Sequence, residues 1–262
     1  MDDGFWELLL SNFDVKLLVF ARISGAFAFT PILSRQNFPM MMKAGLCLLI
    51  TYIVSLTLGV TEVDTGGTMG GYVLAVIHEL FIGFVIGFIM DMHILSIQIA
   101  GEIMDSQSGL GMAKIMDPST RIQMSIYATF MLFILYMYFF VSNCHLTLIS
   151  IFITSFDIIP LGQGTLNPEL GWIIVSFFSQ IFIMMLKLAL PIILVEMIIH
   201  FCMGVLMKAV PQIQLMVINI QLMVIMGMVT LLAIAAPMAD YIEKYVNGMM
   251  ESVYNIVSHI YV

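Results

Sequence analysis

The sequence predicts an all-α fold: a polytopic membrane protein of about six apolar helical blocks, several of them kinked or hairpin-like. Three observations carry this. Hydrophobic residues make up 61% of the chain and charged residues only 10%, against about 25% charged in ordinary soluble domains. Mean hydropathy is +1.06. Several uninterrupted apolar runs reach the roughly 20 residues that cross a hydrocarbon core. No long linker, low-complexity tract or soluble module interrupts the pattern, so residues 1–262 read as a single domain.

The first block covers about 17–33 and the second about 44–60. The third covers about 72–99, the fourth 122–156, the fifth 172–207 and the sixth 213–236. Pro39, a glycine-rich acidic stretch at 61–71, the mixed segment 100–121, the Pro/Gly stretch 157–171 and Pro211 punctuate them. Blocks four and five hold about 35 residues each, about 50 Å as one helix at 1.5 Å per residue. A hydrocarbon core is about 30 Å thick, so each must tilt, project beyond the bilayer or fold back. Ser142-Asn143-Cys144-His145 is the polar break expected in block four, and Leu190-Pro191 the break expected in block five. Arg35, Lys43, Lys114, Arg121 and Lys208 fall in alternate connections, which places 34–43, 100–121 and 208–212 on the cytoplasmic side. The N-terminus lacks the basic region and small-residue cleavage site of a signal peptide, so the first apolar segment is expected to be retained.

The formal net charge of −8 argues against nucleic acid as a partner, which needs a basic face. It also argues against a polybasic lipid-binding surface. Cys47, Cys144 and Cys202 are far apart, without the spacing of a zinc site, and read as buried thiols. His78-Glu79 begins like a zinc-protease motif, but position 82 is Ile where the second histidine belongs. No nucleophile elbow or phosphate loop is present. No cofactor, metal site or catalytic set is expected. The 25 methionines are spread over the apolar blocks as flexible filler rather than as copper motifs.

Ionisable groups at membrane depth are costly and face protein or water. Arg22, Glu79, Asp91, Lys187 and Glu196 lie within or at the ends of apolar blocks. Arg22, Glu79, Lys187 and Glu196 are read as charges that pair at helix or subunit contacts; an ion or proton path is the competing reading. Lys187 and Glu196 lie about 13 Å apart on one continuous helix, so each needs a partner elsewhere or a break at Pro191. Gly83-x-x-x-Gly87 offers a close-packing helix face.

Residues 100–121 are neither a clean span nor a solvated loop. Gly109 and Gly111 permit unusual backbone angles, and Leu110, Met112, Ile115 and Met116 supply apolar surface between polar neighbours. Asp117-Pro118 marks a turn before block four. The segment reads either as an interfacial cytoplasmic loop or as a re-entrant segment packed inside protein.

Here the sequence resembles the FliR family of flagellar export proteins and its injectisome relatives. The run Ala100-Gly101-Glu102, Asp105, Gln107, Gly109, Ala113 and Asp117-Pro118 looks like that family's central motif. Arg22, Gly25 and Pro31 match an N-terminal pattern, and Glu79, Gly83 and Gly87 match the third block. His145, Ser155-Phe156, Pro160 and Gly162 match the region after block four, and Leu190-Pro191 and Pro211-Gln212 match late motifs. The chain departs from the family pattern after Pro211-Gln212, where Gln214, Asn219, Gln221 and Met223 stand.

The resemblance implies a non-enzymatic structural and gating subunit of the flagellar type III export channel, in the bacterial inner membrane at the flagellar basal body. It implies assembly with P-type and Q-type export-gate subunits, contact with other flagellar export-apparatus proteins, and exported protein cargo in transit. It implies kinked, hairpin-like helices raised above the bilayer plane. It also implies a pore plug over about 106–118, carried by Gln107, Gly109, Leu110, Gly111, Met112, Ile115, Met116, Asp117 and Pro118. A virulence injectisome subunit is the alternative within this reading. A secondary transporter, suggested by broken helices and buried charges, is the alternative outside it, weakened by the lack of an inverted repeat.

Overall fold

The structure is a computed structural model that describes residues 13–30, 39–58, 63, 68–111, 125–162, 167–209 and 215–261. Among these residues it is helical throughout its ordered elements: α1 (Phe13–Phe29), α2 (Met40–Leu58), α3 (Met69–Gln107), α4 (Ile126–Val141), α5 (Cys144–Ile158), α6 (Leu170–Ala209) and α7 (Leu215–Ile260). The fold is the all-α, multi-pass type that the composition demands. Four helices are long and apolar enough to cross a membrane, or five spans if α4 and α5 count as one.

The block boundaries need four corrections. Block three runs on to Gln107, so the stretch 100–107, placed in a connection by its polar residues, is the last two turns of α3. Block four is two helices, bent by 69° at the expected polar break. Asn143 adopts φ 56° there, the left-handed region that asparagine tolerates better than most residues. Block five is not interrupted: α6 continues through Pro191 for 40 residues. Block six continues through Pro237 to Ile260, giving a 46-residue helix. The sixth block's second half was missed because it is amphipathic rather than apolar. Met238, Ile242, Tyr245, Val246, Met249, Val253, Ile256, Val257 and Ile260 are buried at helical spacing, while Asp240, Glu243, Lys244 and Glu251 are exposed.

The contacts divide the chain into two compact units. The first comprises 1–92, 143–177 and 249–262. In it α1 packs on α2 and crosses α3 at two glycines. A Cβ on Gly83 would lie 1.9 Å from the Arg22 carbonyl oxygen, and one on Gly25 would lie 2.5 Å from the Leu80 carbonyl oxygen. Only glycine permits backbones this close. The end of α7 is closed by Asn167, whose backbone N–H donates to the Ile260 carbonyl at 2.9 Å and whose Nδ2 donates to the His259 carbonyl at 3.1 Å. The second unit comprises 93–142 and 178–248. There α3 meets α4 at Gly101, where a Cβ would lie 2.2 Å from Ala128 Cα. Tyr245 of α7 donates its hydroxyl hydrogen to the His93 carbonyl at 2.8 Å and is also hydrogen-bonded to Ser96.

Candidate functional site

Two buried polar centres stand out, one in each unit. In the first, the Gly25–Gly83 crossing brings Arg22 and Glu79, one turn away on their helices, face to face. Arg22 Nε donates to Glu79 Oε2 at 2.6 Å. Arg22 Nη1 donates to the Ser155 carbonyl at 2.7 Å, and Nη2 to the Ile159 carbonyl at 2.9 Å. The guanidinium lies 4.2 Å from the centre of the Phe156 ring, a cation–π distance. Glu79 uses its other oxygen to accept from the Gly162 N–H at 3.0 Å. Gly162 has φ 70°, so the turn that presents this N–H needs glycine.

Both side chains are fully buried: Arg22 is 1% exposed and Glu79 0%. The arrangement answers the cost of burying charge, because each charge has a partner and further hydrogen bonds. It also solves a helix-end problem. The last carbonyls of a helix have no partner within the helix and carry its negative dipole end. Arg22 brings a cation from a distant segment to the Ser155 and Ile159 carbonyls at that end of α5.

The second centre joins the end of α3 to the start of α4. Asp105 is 1% exposed. Its two oxygens accept from the Ile126 N–H at 2.8 Å and the Tyr127 N–H at 3.0 Å. Ser125 is the N-cap of α4: its hydroxyl oxygen accepts from the Ala128 N–H at 3.0 Å, and its carbonyl from the Thr129 N–H at 2.9 Å. All four leading N–H groups of α4 are thus satisfied, and the carboxylate sits where the helix dipole favours an anion. Asp105 therefore pins the return of the chain at 125–127 to the last turn of α3. The segment between leaves and re-enters at one place.

The sequence-derived plug residues divide around this staple. Gln107 is the last residue of α3 and half-buried. Gly109 is buried at φ 74°, with Ile220 and Met223 of α7 within ordinary contact of its Cβ position. Leu110 and Gly111 are half-buried. Met112, Ile115, Met116, Asp117 and Pro118 lie outside the described residues.

The four charges read as pairing candidates behave differently. Arg22 and Glu79 meet each other. Lys187 is exposed on α6 and makes no ion pair among the described residues, because its position on the helix faces away from the packed side. Glu196 is 0% exposed, and neither carboxylate oxygen has a hydrogen-bond partner. Asp105 was singled out in the sequence only as part of a family-like run; its capping role depends on a contact 21 residues away that no local pattern reports. Cys47 and Cys144 are buried thiols, whereas Cys202 is exposed. No group of three or more metal-ligating side chains occurs among the described residues.

Fold and site together define a multi-pass helical membrane protein whose helix ends are locked by buried charged groups. The comparison with known families makes this specific. The chain belongs to the bacterial export proteins, family 1, whose model matches residues 13–249. It is similar to the flagellar biosynthetic protein FliR of Escherichia coli K12, with 27% identity covering 98% of this chain and 93% of the relative. It is 30% identical to FliR of Buchnera aphidicola from Acyrthosiphon pisum, covering 96% of each chain. FliR of Bacillus subtilis 168 is 24% identical, covering 95% of this chain and 97% of the relative.

Proposed function

We propose that this chain is a structural and gating subunit of the flagellar type III export channel, and that the segment 106–118 plugs its pore. The flagellar rather than injectisome assignment is supported by relatives that share nearly the full length and carry flagellar names. In this reading the subunit sits in the bacterial inner membrane at the basal body and assembles with P-type and Q-type export-gate subunits. It has no catalytic turnover; its work is to seal and to yield.

The observation that carries the plug reading is the Asp105 staple. The staple holds the two points that flank the segment, Asp105 and the 126–127 backbone, side by side. The tie is anchored by a carboxylate in a buried cap, which fixes the base from which the plug is proposed to act. Gly109 at φ 74° turns the chain away from α3 at that base. The apolar residues beyond it, Met112, Ile115 and Met116, supply the kind of constriction that excludes water and ions by dewetting.

The test is ion leakage through the assembled complex. Removing Met112–Ile115 leaves Asp105, Ser108 and Ser125 in place. We expect the deletion to raise small-ion flux severalfold in liposomes or cells bearing equal amounts of intact and deleted complex, with no cargo moving. Equal flux from correctly assembled complexes would exclude the plug.

A further inference from the structure

Among the described residues, Glu196 is a buried charge that the locks described above leave unused. It sits in α6 within the second unit, 0% exposed, with both carboxylate oxygens unpartnered. Three neighbouring elements enclose it. A Cβ built on Gly227 of α7 would lie 3.1 Å from Glu196 Oε1, 2.8 Å from the Tyr127 hydroxyl of α4 and 3.0 Å from Ser108 Cβ at the end of α3. Ser108 and Tyr127 are themselves buried. The other side is apolar: Ile199, Met203 and Met223 form a buried cluster against which Val195 and Met226 pack.

Among the described residues no cation pairs with this carboxyl. On its own helix, His200 and Lys187 are exposed. Near the end of α3 the buried charged group is Asp105, also an anion, and its oxygens are engaged by the N–H groups of α4. From α4 comes the neutral Tyr127. From α7 comes Gly227, and the buried or half-buried polar side chains nearest to it along that helix are the neutral Asn219 and Thr230, whose hydroxyl donates to the Met226 carbonyl at 2.7 Å. The contrast with Asp105 is direct. One carboxylate is given donors and the helix dipole; the other is given neither. An ionised carboxylate without donors or counter-ion in an apolar enclosure costs several kcal/mol.

We propose that Glu196 is a proton-binding site: the packed arrangement of α3, α4, α6 and α7 around Gly227 holds the carboxyl in its neutral form. The proton comes from water, and its loss returns it to water, leaving a carboxylate that must recruit water or a donor. Gly227 is part of the site because a side chain there would collide with the Tyr127 hydroxyl and displace the acid. Of the enclosing groups named, only Ser108 belongs to 106–118, and the test below reads the protonation of Glu196 rather than ion leakage, so failure of one proposal is distinguishable from failure of the other.

The experiment uses the full chain co-expressed with the partners that retain it in the membrane. Glu196→Gln preserves the shape and neutrality of the protonated acid. It is expected to accumulate within twofold of the unaltered protein, whereas a tenfold loss would overturn the proposal. In the infrared difference spectrum at pH 7, the unaltered protein is expected to show one protonated-carboxyl stretch absent from Glu196→Gln, shifting in heavy water. A difference spectrum that instead shows loss of ionised-carboxylate bands would overturn it as well.

Discussion

Arg22 illustrates how much one side chain can organise. Its planar guanidinium serves Glu79 and two carbonyls at the end of α5 while stacking on Phe156. Lysine carries the same charge but is a point donor without the rigid fork. We expect Arg22→Ala to destabilise the protein by about 3–5 kcal/mol, since it leaves Glu79 buried and uncompensated. Arg22→Lys should recover less than half of that loss. Arg22→Met combined with Glu79→Leu should cost clearly less than the two single changes added together, because each single change strands the other charge. Thermal unfolding of the detergent-solubilised complex measures all of these, and Arg22→Lys melting like the unaltered protein would refute the multidentate role. The sequence marks Arg22 and Glu79 as anomalous charges in apolar blocks. That they serve each other is invisible there, because they are 57 residues apart and no periodicity links them.

Among the helices, the glycines separate into two kinds that look alike in the sequence. Gly83 and Gly101 each occupy a crossing where a Cβ would overlap a neighbouring backbone, with 1.9 Å and 2.2 Å to the nearest atom. Gly45 and Gly204 have nothing within 4 Å of that position. Overpacking a close contact costs about 1–3 kcal/mol and occasionally more, whereas exchanging an unneeded helical glycine for alanine gains about 0.5–1 kcal/mol. We therefore expect Gly83→Ala and Gly101→Ala to lower accumulation strongly, and Gly45→Ala and Gly204→Ala to leave it unchanged or raise it. Quantitative immunoblotting of membranes distinguishes the pairs; equal behaviour of all four would refute the crossing geometry. The two expected helix breaks divide in the same way. Asn143 breaks the helix because it takes a left-handed conformation and starts a new cap, while Pro191 removes one hydrogen bond within a helix held by the buried Leu188, Ala189 and Ile192 beside it.

For the molecule as a whole, length and exposure set the terms. At 1.5 Å per residue α3, α6 and α7 measure about 58, 60 and 69 Å, roughly twice a hydrocarbon core of about 30 Å. They extend beyond a bilayer or run within a protein assembly. The most apolar stretch of α7 is only 17% buried within the chain, and Trp172, Phe201 and Leu232 are 78%, 74% and 77% exposed. Apolar surface on this scale needs lipid or protein to cover it. We expect the chain expressed without export-apparatus partners to be degraded or to aggregate; a monodisperse, stable monomer in mild detergent would count against that.

The sequence by itself determined the class: composition and run length exclude a soluble domain, and the ordered set of glycines, prolines and charges points to the export family. It also located the break at 142–145, because turn chemistry is a local property, whereas the proposed plug segment rests on the family resemblance. Only the tertiary structure decided which charges meet, which glycines are crossings, and that Asp105 ties the end of α3 to the start of α4. These depend on helices from distant segments being brought side by side, and the energy that selects a partner for a buried charge comes from its three-dimensional surroundings. The same reason separates Glu79 from Glu196: each is a glutamate in an apolar run, and only the packing gives one a cation and an N–H donor and the other neither.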